Sequence, residues 1–308
     1  MSDSQEWTVG RLLTWTTDYL KQHGAASPRL DAEVLLAAAR GCQRIELYTA
    51  FDQIADEATR AVFRDSVRRR AAGEPVAYLV GHREFFSLSF QVTRDVLIPR
   101  PETEHLVVEC LDLLKQFPAR GSVPSSPQPP DASPPRPQHR VADVGTGSGA
   151  IAVSIARHAP TCRVTAIDIS AAALEIARNN AHQHQVAERI EFVQGDLLAD
   201  LPPERQFDII ASNPPYVSQA EWDQLPVEIK DYEPRLALVG GPTGCETIAR
   251  LIPQAAEHLG PGGWLLMEIS PMTEAAVRQQ LTQDGRFAAI QTVKDLAGLA
   301  RVIKAQRQ

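Results

Sequence analysis

The second half of the chain constrains the fold most, because segments with strand and helix patterns alternate in it from residue 141 onward. This alternation predicts an α/β fold with a mostly parallel, Rossmann-like sheet that carries helices on both faces. The last two strands follow each other after a short connection, so we expect the last strand to run antiparallel. The predicted strands lie near residues 141–144, 162–167, 189–193, 206–212, 263–269, 286–293 and 299–304.

Periodicity and composition divide the chain further. A helical pattern comes first, with Ser27 as a helix cap and Pro28 at the first helical position. Residues 82–98 then follow a two-residue period, with apolar residues at Phe86, Leu88, Phe90 and Val92, which predicts a β-hairpin. A stretch rich in Pro and Ser predicts a flexible linker. The predicted regions are a small helical domain over 1–80, the hairpin and a connecting segment over 81–117, the linker over 118–140, and a catalytic domain over 141–308.

Composition excludes some functions. The 308 residues are 44% hydrophobic and 22% charged, as in ordinary globular proteins, and the formal net charge is −7. This negative charge argues against a dedicated nucleic-acid binder, so we expect no direct nucleic-acid binding. The best candidate for a basic patch is Arg68-Arg69-Arg70, which we interpret as a solvated helix face.

The cysteines and the start of the chain indicate a compartment. The four cysteines are widely spaced and form no Cys-x-x-Cys pair, so we predict reduced thiols and no metal site. The polar start with Asp3 and Glu6 resembles neither a secretory signal nor a transit peptide. No apolar run approaches the roughly 18 residues that span a bilayer, so a cytoplasmic protein is expected.

A glycine-rich loop follows the first predicted strand of the sheet. Glycines at 145, 147 and 149 allow the backbone to approach a ligand closely and to turn tightly into a helix. Asp168 ends the second predicted strand, where a carboxylate accepts hydrogen bonds from the ribose hydroxyls of an adenosine. Asp196 follows the third, where a loop can cover the adenine. Since NAD and S-adenosylmethionine share the adenosine, this loop alone fits both.

The segment Asn213-Pro214-Pro215-Tyr216 ends the fourth predicted strand and decides between these cofactors. Its prolines form a stiff turn without backbone N–H groups. The turn therefore presents an Asn side chain, carbonyl acceptors and an aromatic face, which suit a planar nitrogen that carries two hydrogens. A methyltransferase places its acceptor site there, whereas a dehydrogenase needs a proton-transferring group that is not evident. S-adenosylmethionine is therefore favoured, although a plain Pro-rich turn can also end a strand.

With these residues identified, the chain resembles the HemK/PrmC-type protein-glutamine methyltransferases over nearly its whole length outside the linker. The most specific match is Ile98-Pro99-Arg100-Pro101-Glu102-Thr103-Glu104. Residues 75–81, the glycine loop, the acceptor motif and residues 232–238 and 295–298 also occur in family order. Departures from the family pattern stand at Thr243, Cys245 and Ser270, outside the acceptor motif.

The resemblance implies an S-adenosylmethionine-dependent enzyme that methylates the side-chain amide of the Gln in the Gly-Gly-Gln loop of class 1 peptide chain release factors. It implies that the helical domain binds the release factor. Separately, we expect the protein to be a monomer. Arg100, Glu102 and Thr103 are implied to line the junction between domains, and a role as a structural cap is an equal alternative for Glu102. The implied cofactor-binding residues are Gly145, Thr146, Gly147, Ser148, Gly149, Asp168, Asp196, Leu197 and Asn213, and the implied substrate-binding residues are Asn213, Pro214, Pro215 and Tyr216, with Asn213, Pro214 and Tyr216 catalytic.

Other functions stay open at this point. A methyltransferase acting on the exocyclic amine of a nucleic-acid base would flip the base into the same pocket, but it predicts a basic surface. A nicotinamide-dependent oxidoreductase and a binding module without catalysis are the remaining alternatives. Intact Asn213 and Tyr216 argue against the binding module.

Overall fold

A computed structural model gives the fold and describes residues 6–116 and 139–308. The predicted linker therefore lies outside the described residues, except for His139 and Arg140, which already belong to a strand. The helices are α1 (Val9–Gln22), α2 (Pro28–Arg40), α3 (Arg44–Thr49), α4 (Glu57–Ala71), α5 (Val76–Val80), α6 (Glu104–Gln116), α7 (Ala150–His158), α8 (Ala171–Gln183), α9 (Gln219–Gln224), α10 (Val227–Lys230), α11 (Glu246–His258) and α12 (Glu274–Asp284). The strands are β1 (His82–Phe85), β2 (Leu88–Gln91), β3 (His139–Val144), β4 (Cys162–Asp168), β5 (Ile190–Gln194), β6 (Phe207–Ser212), β7 (Val217–Ser218), β8 (Val239–Gly241), β9 (Leu259–Glu268), β10 (Phe287–Lys294) and β11 (Ala300–Arg307).

These elements form two compact units. One comprises Met1–His82 together with Pro226–Tyr232, and the other comprises Arg83–Leu225 and Glu233–Gln308. The predicted region boundaries stay predictions, but the first unit includes a segment from far along the chain that sequence periodicity did not indicate. In the described ranges, no helix is both long and apolar enough to cross a membrane.

The helical unit packs around a leucine-rich core. Thr8 caps the N-terminus of α1, where its side chain accepts from the Arg11 N–H, and Asp56 caps that of α4, where its carboxylate accepts from the Thr59 N–H. Pro28 holds the first position of α2 as predicted, whereas Ser27 makes no side-chain capping bond. The fully buried core side chains include Leu13, Leu20, Leu35, Leu36 and Leu47.

The three consecutive arginines do not form a solvated face. Arg70 is buried, and it donates to Asp31 at 2.7 Å and pairs with Glu228 of α10 at 2.8 Å. Arg69 pairs with Glu74 at 2.8 Å. The interpretation as a solvated helix face was therefore wrong for Arg70, because its acidic partners lie 39 and 158 positions away in sequence.

The second unit contains a seven-stranded sheet in the order β10-β11-β9-β6-β3-β4-β5 among the described residues. Strands β3, β4, β5, β6 and β9 pair in parallel, and β11 pairs antiparallel with β9 and β10. The predicted antiparallel last strand is confirmed. Every residue of β6 is buried, which is typical of a parallel strand that is covered on both faces.

Register places the ends of four strands at one edge of this sheet. Val144 lies opposite Ile167 of β4 and opposite Ser212 of β6, and Asp168 lies opposite Gln194 of β5. The residues that follow β3, β4, β5 and β6 therefore gather at the carboxyl edge, where open α/β sheets bind ligands. Strands β1 and β2 form the predicted hairpin, with positive φ at both turn residues, Phe86 and Ser87.

Candidate active site

The glycine loop connects β3 to α7 and is fixed by backbone hydrogen bonds. The N–H groups of Gly145 and Thr146 donate to the carbonyl of Ile167 at 2.8 and 2.9 Å. Gly145, Gly147 and Gly149 have φ of 74°, 55° and 79°, in the left-handed region that favours glycine. A Cβ at Gly145 or Gly147 would meet nothing within 4 Å, whereas one at Gly149 would lie 3.1 Å from Ala177. The first two glycines therefore leave room beside the loop, and the third permits close helix packing.

Asp143 holds the loop from beneath. Its Oδ2 accepts from the Thr146 hydroxyl at 2.6 Å and from the Ala152 backbone at 3.0 Å. The side chain is fully buried, and Oδ1 has no hydrogen-bond partner among the described residues. Burial raises the pKa of Asp143 to about 7, an effect that these two hydrogen bonds reduce and the charge of Asp168 increases.

Asp168 stands at the end of β4, as predicted. One carboxylate oxygen accepts from Gly147 N–H at 2.8 Å, and the other accepts from Ser170 N–H at 2.9 Å. Burial raises the pKa of Asp168, and these backbone donors oppose the rise. Each oxygen keeps a further lone pair, so this carboxylate can accept hydrogen bonds from ligand hydroxyl groups.

A cavity of about 310 Å³ opens at this edge of the sheet, within the size range of small-molecule sites. Most of the predicted cofactor-binding residues line it. Gly149, Pro214 and Tyr216 do not line it, whereas Pro215 does. The lining residues that were predicted for the cofactor are Gly145, Thr146, Gly147, Ser148, Asp168, Asp196, Leu197 and Asn213.

The predicted Asp196–Leu197 turn also borders the cavity. The Asp196 carboxylate forms an ion pair with Arg250, which lines the same cavity. Leu197 has φ of 57°, a conformation that is uncommon for a non-glycine residue. Residues in such conformations cluster at ligand-binding sites, because the surrounding structure must hold them there.

At the end of β6, the Asn213 amide is tied to two residues that are distant in sequence. Asn213 Nδ2 donates to Thr103 Oγ1 at 3.1 Å, and Thr103 Oγ1 donates to Glu268 Oε2 at 2.6 Å. The hydroxyl of Tyr216 donates to Glu268 Oε1 at 3.0 Å. Asn213 lines the cavity, and no described residue donates to its Oδ1, so this oxygen is available as an acceptor.

Glu268 is the buried centre of these bonds. Its side chain is 1% exposed, and burial raises its pKa, while the hydrogen bonds from Thr103 and Tyr216 and the charge of Arg301 oppose the rise. Burial also raises the pKa of Tyr216, and the adjacent Glu268 adds to the rise. Tyr216 therefore stays neutral at ordinary pH, and its hydroxyl donates a hydrogen bond to Glu268.

The segment before α6 contributes two further residues to this edge. Arg100 lines the cavity and pairs with Glu233, whose carboxylate also accepts from Ile98 N–H at 3.1 Å. Thr103 lines the cavity as well and is buried, whereas Glu102 is not among the lining residues.

Thr103 was predicted at this site only through the family resemblance, and Glu268 was not predicted as a site residue. Glu268 ends β9, the strand that lies beside β6, so a carboxylate at its carboxyl end was the available signal. The signal is weak, because a sequence does not show that β9 pairs with β6. Their register, with Met267 opposite Ser212, brings Glu268 to the acceptor motif.

The carboxylate and the glycine loop at this edge fit the S-adenosylmethionine that the resemblance implies. The Asp168 carboxylate suits the two ribose hydroxyls, because it accepts hydrogen bonds and donates none. Gly145 and Gly147 leave open space where side chains would otherwise stand, so a ligand can approach the loop backbone closely. The same features would accommodate other adenosine compounds, but Asn213 stands beside them with a free acceptor.

Comparison with known proteins identifies relatives along almost the entire chain. Residues 11–81 match the PrmC N-terminal domain family, and residues 131–228 match the methyltransferase small domain family. The release factor glutamine methyltransferase of Rhodopirellula baltica is 49% identical over 99% of this chain and 98% of its own length. The enzyme of that name from Koribacter versatilis is 40% identical over 92% of this chain and 93% of its own length.

Solved structures support the fold. The hMettl16 catalytic domain superposes with a TM-score of 0.54 at 15% identity, covering 78% of this chain and 81% of that one. A 16S rRNA methyltransferase from T. thermophilus gives 0.50 at 19% identity, covering 74% of this chain and 50% of that one. These likenesses confirm a methyltransferase-like α/β fold, and the closer sequence relatives establish the family. The chain belongs to the family of release factor glutamine methyltransferases.

Proposed function

We propose that this protein transfers a methyl group from S-adenosylmethionine to the side-chain amide nitrogen of the Gln in the Gly-Gly-Gln loop of class 1 peptide chain release factors. The observation that carries the proposal is the orientation of Asn213. Its nitrogen donates a hydrogen bond to Thr103, its oxygen is left as an acceptor, and the residue lines the same cavity as the glycine loop and Asp168.

An amide nitrogen is a weak nucleophile, because its lone pair is delocalised into the carbonyl. Bound S-adenosylmethionine supplies an electrophilic methyl group on a sulfonium. Asn213 Oδ1 and the Pro214 carbonyl accept hydrogen bonds from the two N–H groups of the substrate amide. These hydrogen bonds restrict rotation of the amide and direct its nitrogen towards the methyl group. These fixed acceptors also stabilise the positive charge that develops on the nitrogen.

Tyr216 and Pro214 act beside the cavity in this proposal. The hydroxyl of Tyr216 is anchored on Glu268, which limits where its ring can lie, and we assign the ring to packing on the substrate amide. The stiff Pro214-Pro215 turn keeps the carbonyl acceptor in place. The proton of the methylated amide leaves to water, because Glu268, the carboxylate in this hydrogen-bond network, already accepts two hydrogen bonds.

We assign the cofactor contacts in the same way. Asp168 accepts from the ribose hydroxyls, the glycine loop approaches the cofactor through its backbone, and Asp196 with Leu197 covers the adenine. The pairing of Asp196 with Arg250 supports a role in shaping this wall of the cavity.

The relatives favour a protein substrate over a nucleic-acid base, since those that are 37–49% identical are named for release factor glutamine methylation. The net charge of −7 is in keeping with a protein substrate. We further propose that the protein works as a monomer in the cytoplasm without direct nucleic-acid binding. Size-exclusion chromatography with light scattering tests the monomer.

The test incubates the protein with radiolabelled S-adenosylmethionine and a purified class 1 release factor, with Asn213→Ala in parallel. The expected result is label on the release factor that the variant fails to add. Parallel reactions contain RNA and DNA. Label on nucleic acid with none on the release factor would contradict the proposal and favour the flipped-base alternative.

A further inference from the structure

We propose that Glu268 is a positioning residue that fixes, through Thr103, which atom of the Asn213 amide faces the substrate. The inference deepens the proposed function and rests on it, because the orientation matters for a substrate that presents N–H groups. Glu268 does not line the cavity, so it acts through its neighbours and not on the reacting atoms.

The direction of the hydrogen bonds follows from the chemistry of each group. An ionised carboxylate only accepts, so Thr103 must donate its single hydroxyl hydrogen to Glu268 Oε2, 2.6 Å away. Thr103 Oγ1 then has only lone pairs left for Asn213. The amide must therefore present its NH₂ group to Thr103, and its oxygen points elsewhere.

The second oxygen of Glu268 reinforces this direction. Oε1 accepts from the hydroxyl of Tyr216 at 3.0 Å, so both oxygens face donors. Tyr216 and Asn213 belong to the same turn, and Thr103 precedes α6. One buried carboxylate thus connects three segments of the chain that meet at the acceptor site.

Protonation of Glu268 would reverse the direction. A protonated Glu268 can donate to Thr103, which then turns its own hydrogen towards Asn213. The Asn213 amide would rotate to accept that hydrogen with Oδ1 and would present NH₂ to the substrate. A substrate amide that offers N–H groups would then meet a donor instead of an acceptor, which is unfavourable.

The charges around Glu268 determine when this happens. Burial raises its pKa most, and the neighbouring Glu102 adds to the rise. Arg301 opposes it, and Arg301 is itself held by Asp295 at 2.9 Å. Thr103 and Tyr216 also favour the ionised form. The reversal should therefore occur at a higher pH than the titration of an exposed glutamate. Activity should fall as the pH decreases through the pKa of Glu268.

The structural test observes Asn213 directly. The chain contains three asparagines, Asn179, Asn180 and Asn213, so labelling with ¹⁵N-asparagine gives three side-chain NH₂ signals. The Asn213 signal is assigned by its loss in Asn213→Ala. We expect it to shift with pH in the wild type and to be independent of pH in Glu268→Gln. A wild-type Asn213 signal that does not respond to pH would overturn the inference, whether or not a release factor is the substrate.

The kinetic test uses Glu268→Gln and Thr103→Val, which keep side-chain size. Each should lower kcat on the release factor about ten- to a hundredfold, as expected for a misdirected catalytic group. The double variant should be no worse than the slower single variant, because both act through one chain of bonds. Thr103→Ser should recover most of the rate, and S-adenosylmethionine affinity should stay within about twofold, since neither residue is assigned to the cofactor.

The matched control is Glu257→Gln on the exposed side of α11, which should leave kcat unchanged. Melting temperatures of all variants identify any that fail to fold. If Glu268→Gln retains wild-type kcat and pH profile on a release factor that the wild type methylates, the inference fails while the proposed function stands. If the wild type methylates no release factor, the proposed function fails, and the ¹⁵N experiment still decides the role of Glu268.

Discussion

The glycine loop and the acceptor corner lie at the same edge of one sheet, but they are built from contacts of very different range. In the loop, Asp143 bonds to residues three and nine positions away, and Gly147 bonds to Asp168 at 21 positions. In the acceptor corner, Thr103 bonds to Asn213 and to Glu268 at 110 and 165 positions. A short motif therefore specifies the loop, whereas the corner exists only in the folded chain.

The two regions also have one feature in common. Each contains one buried carboxylate whose pKa is raised by burial. Asp143 supports a loop that its own neighbours form. Glu268 connects the hydroxyls of Thr103 and Tyr216 beside the amide of Asn213. If this comparison is right, changes in the corner should affect catalysis, and changes in the loop should affect cofactor binding and stability.

The largest effect is expected from Asn213→Ala, which removes the side-chain acceptor from the corner. We expect kcat/KM on the release factor to fall by about a thousandfold, the cost of losing one fixed polar group that stabilises developing charge. S-adenosylmethionine affinity, measured by calorimetry, should change much less, because the loop and Asp168 remain. The control is Asn179→Ala on the exposed side of α8, which should have wild-type kinetics. Equal losses of kcat/KM in both variants would show that Asn213 has no special role in catalysis.

Arg70→Ala tests whether long-range polar contacts matter equally in the helical unit. It leaves the Asp31 carboxylate without its 2.7 Å partner and removes the pair with Glu228. Removing one partner of a buried ion pair should lower the free energy of unfolding by about 3 kcal/mol. The control is Arg68→Ala, whose side chain is 78% exposed and which should cost under about 0.5 kcal/mol. Urea denaturation measures both, and equal values would refute the assignment.

The raised pKa of Asp143 predicts that the free energy of unfolding depends on pH. Its folded-state pKa of about 7 lies above the value of an unfolded aspartate, so the folded state binds more protons between these values. Stability is therefore fully present at acid pH and decreases as the pH rises through 7. Between pH 5 and 7.5 the loss should be about 2.5 kcal/mol. Asp143→Asn should remove that part of the slope, and unfolding measured across this range would show whether the two slopes differ.

We expect the smallest effect from Gly147→Ala, which is compared with Gly285→Ala as a control. Both glycines have positive φ and open space around a Cβ, so each alanine should cost about 1 kcal/mol of backbone strain. Only Gly147 lines the cavity. We therefore expect about tenfold weaker S-adenosylmethionine binding in Gly147→Ala alone, since the added methyl stands where the ligand approaches the backbone. Identical affinities for the two variants would exclude close approach at Gly147.

These differences in range explain what the sequence could predict. The α/β class with a mostly parallel sheet follows from alternating segments, and the antiparallel last strand follows from a short connection. The glycine loop and Asp168 follow from residues near one another in sequence. Asn213 follows from a turn that ends a buried strand. Each of these inferences needs only the periodicity or chemistry of one or two adjacent elements.

The remainder depends on which distant elements pair. Glu268 enters the site because β9 lies beside β6, and no local pattern specifies that pairing. Arg70 was interpreted as exposed, because its helix is rich in charge and its partner Glu228 lies in α10, far along the chain. In both cases a charged residue is buried by partners that the local sequence does not contain.

One competition experiment distinguishes methylation of the release factor glutamine from methylation of other groups. Limiting enzyme and S-adenosylmethionine are mixed with a class 1 release factor, its variant with Asn in place of the Gly-Gly-Gln glutamine, and an adenine-containing RNA. Mass spectrometry then locates the methyl group. We expect one methyl group on the side-chain nitrogen of that glutamine, with none on the variant or the RNA. A methyl group on the RNA, or at another position of both release factors, would contradict it.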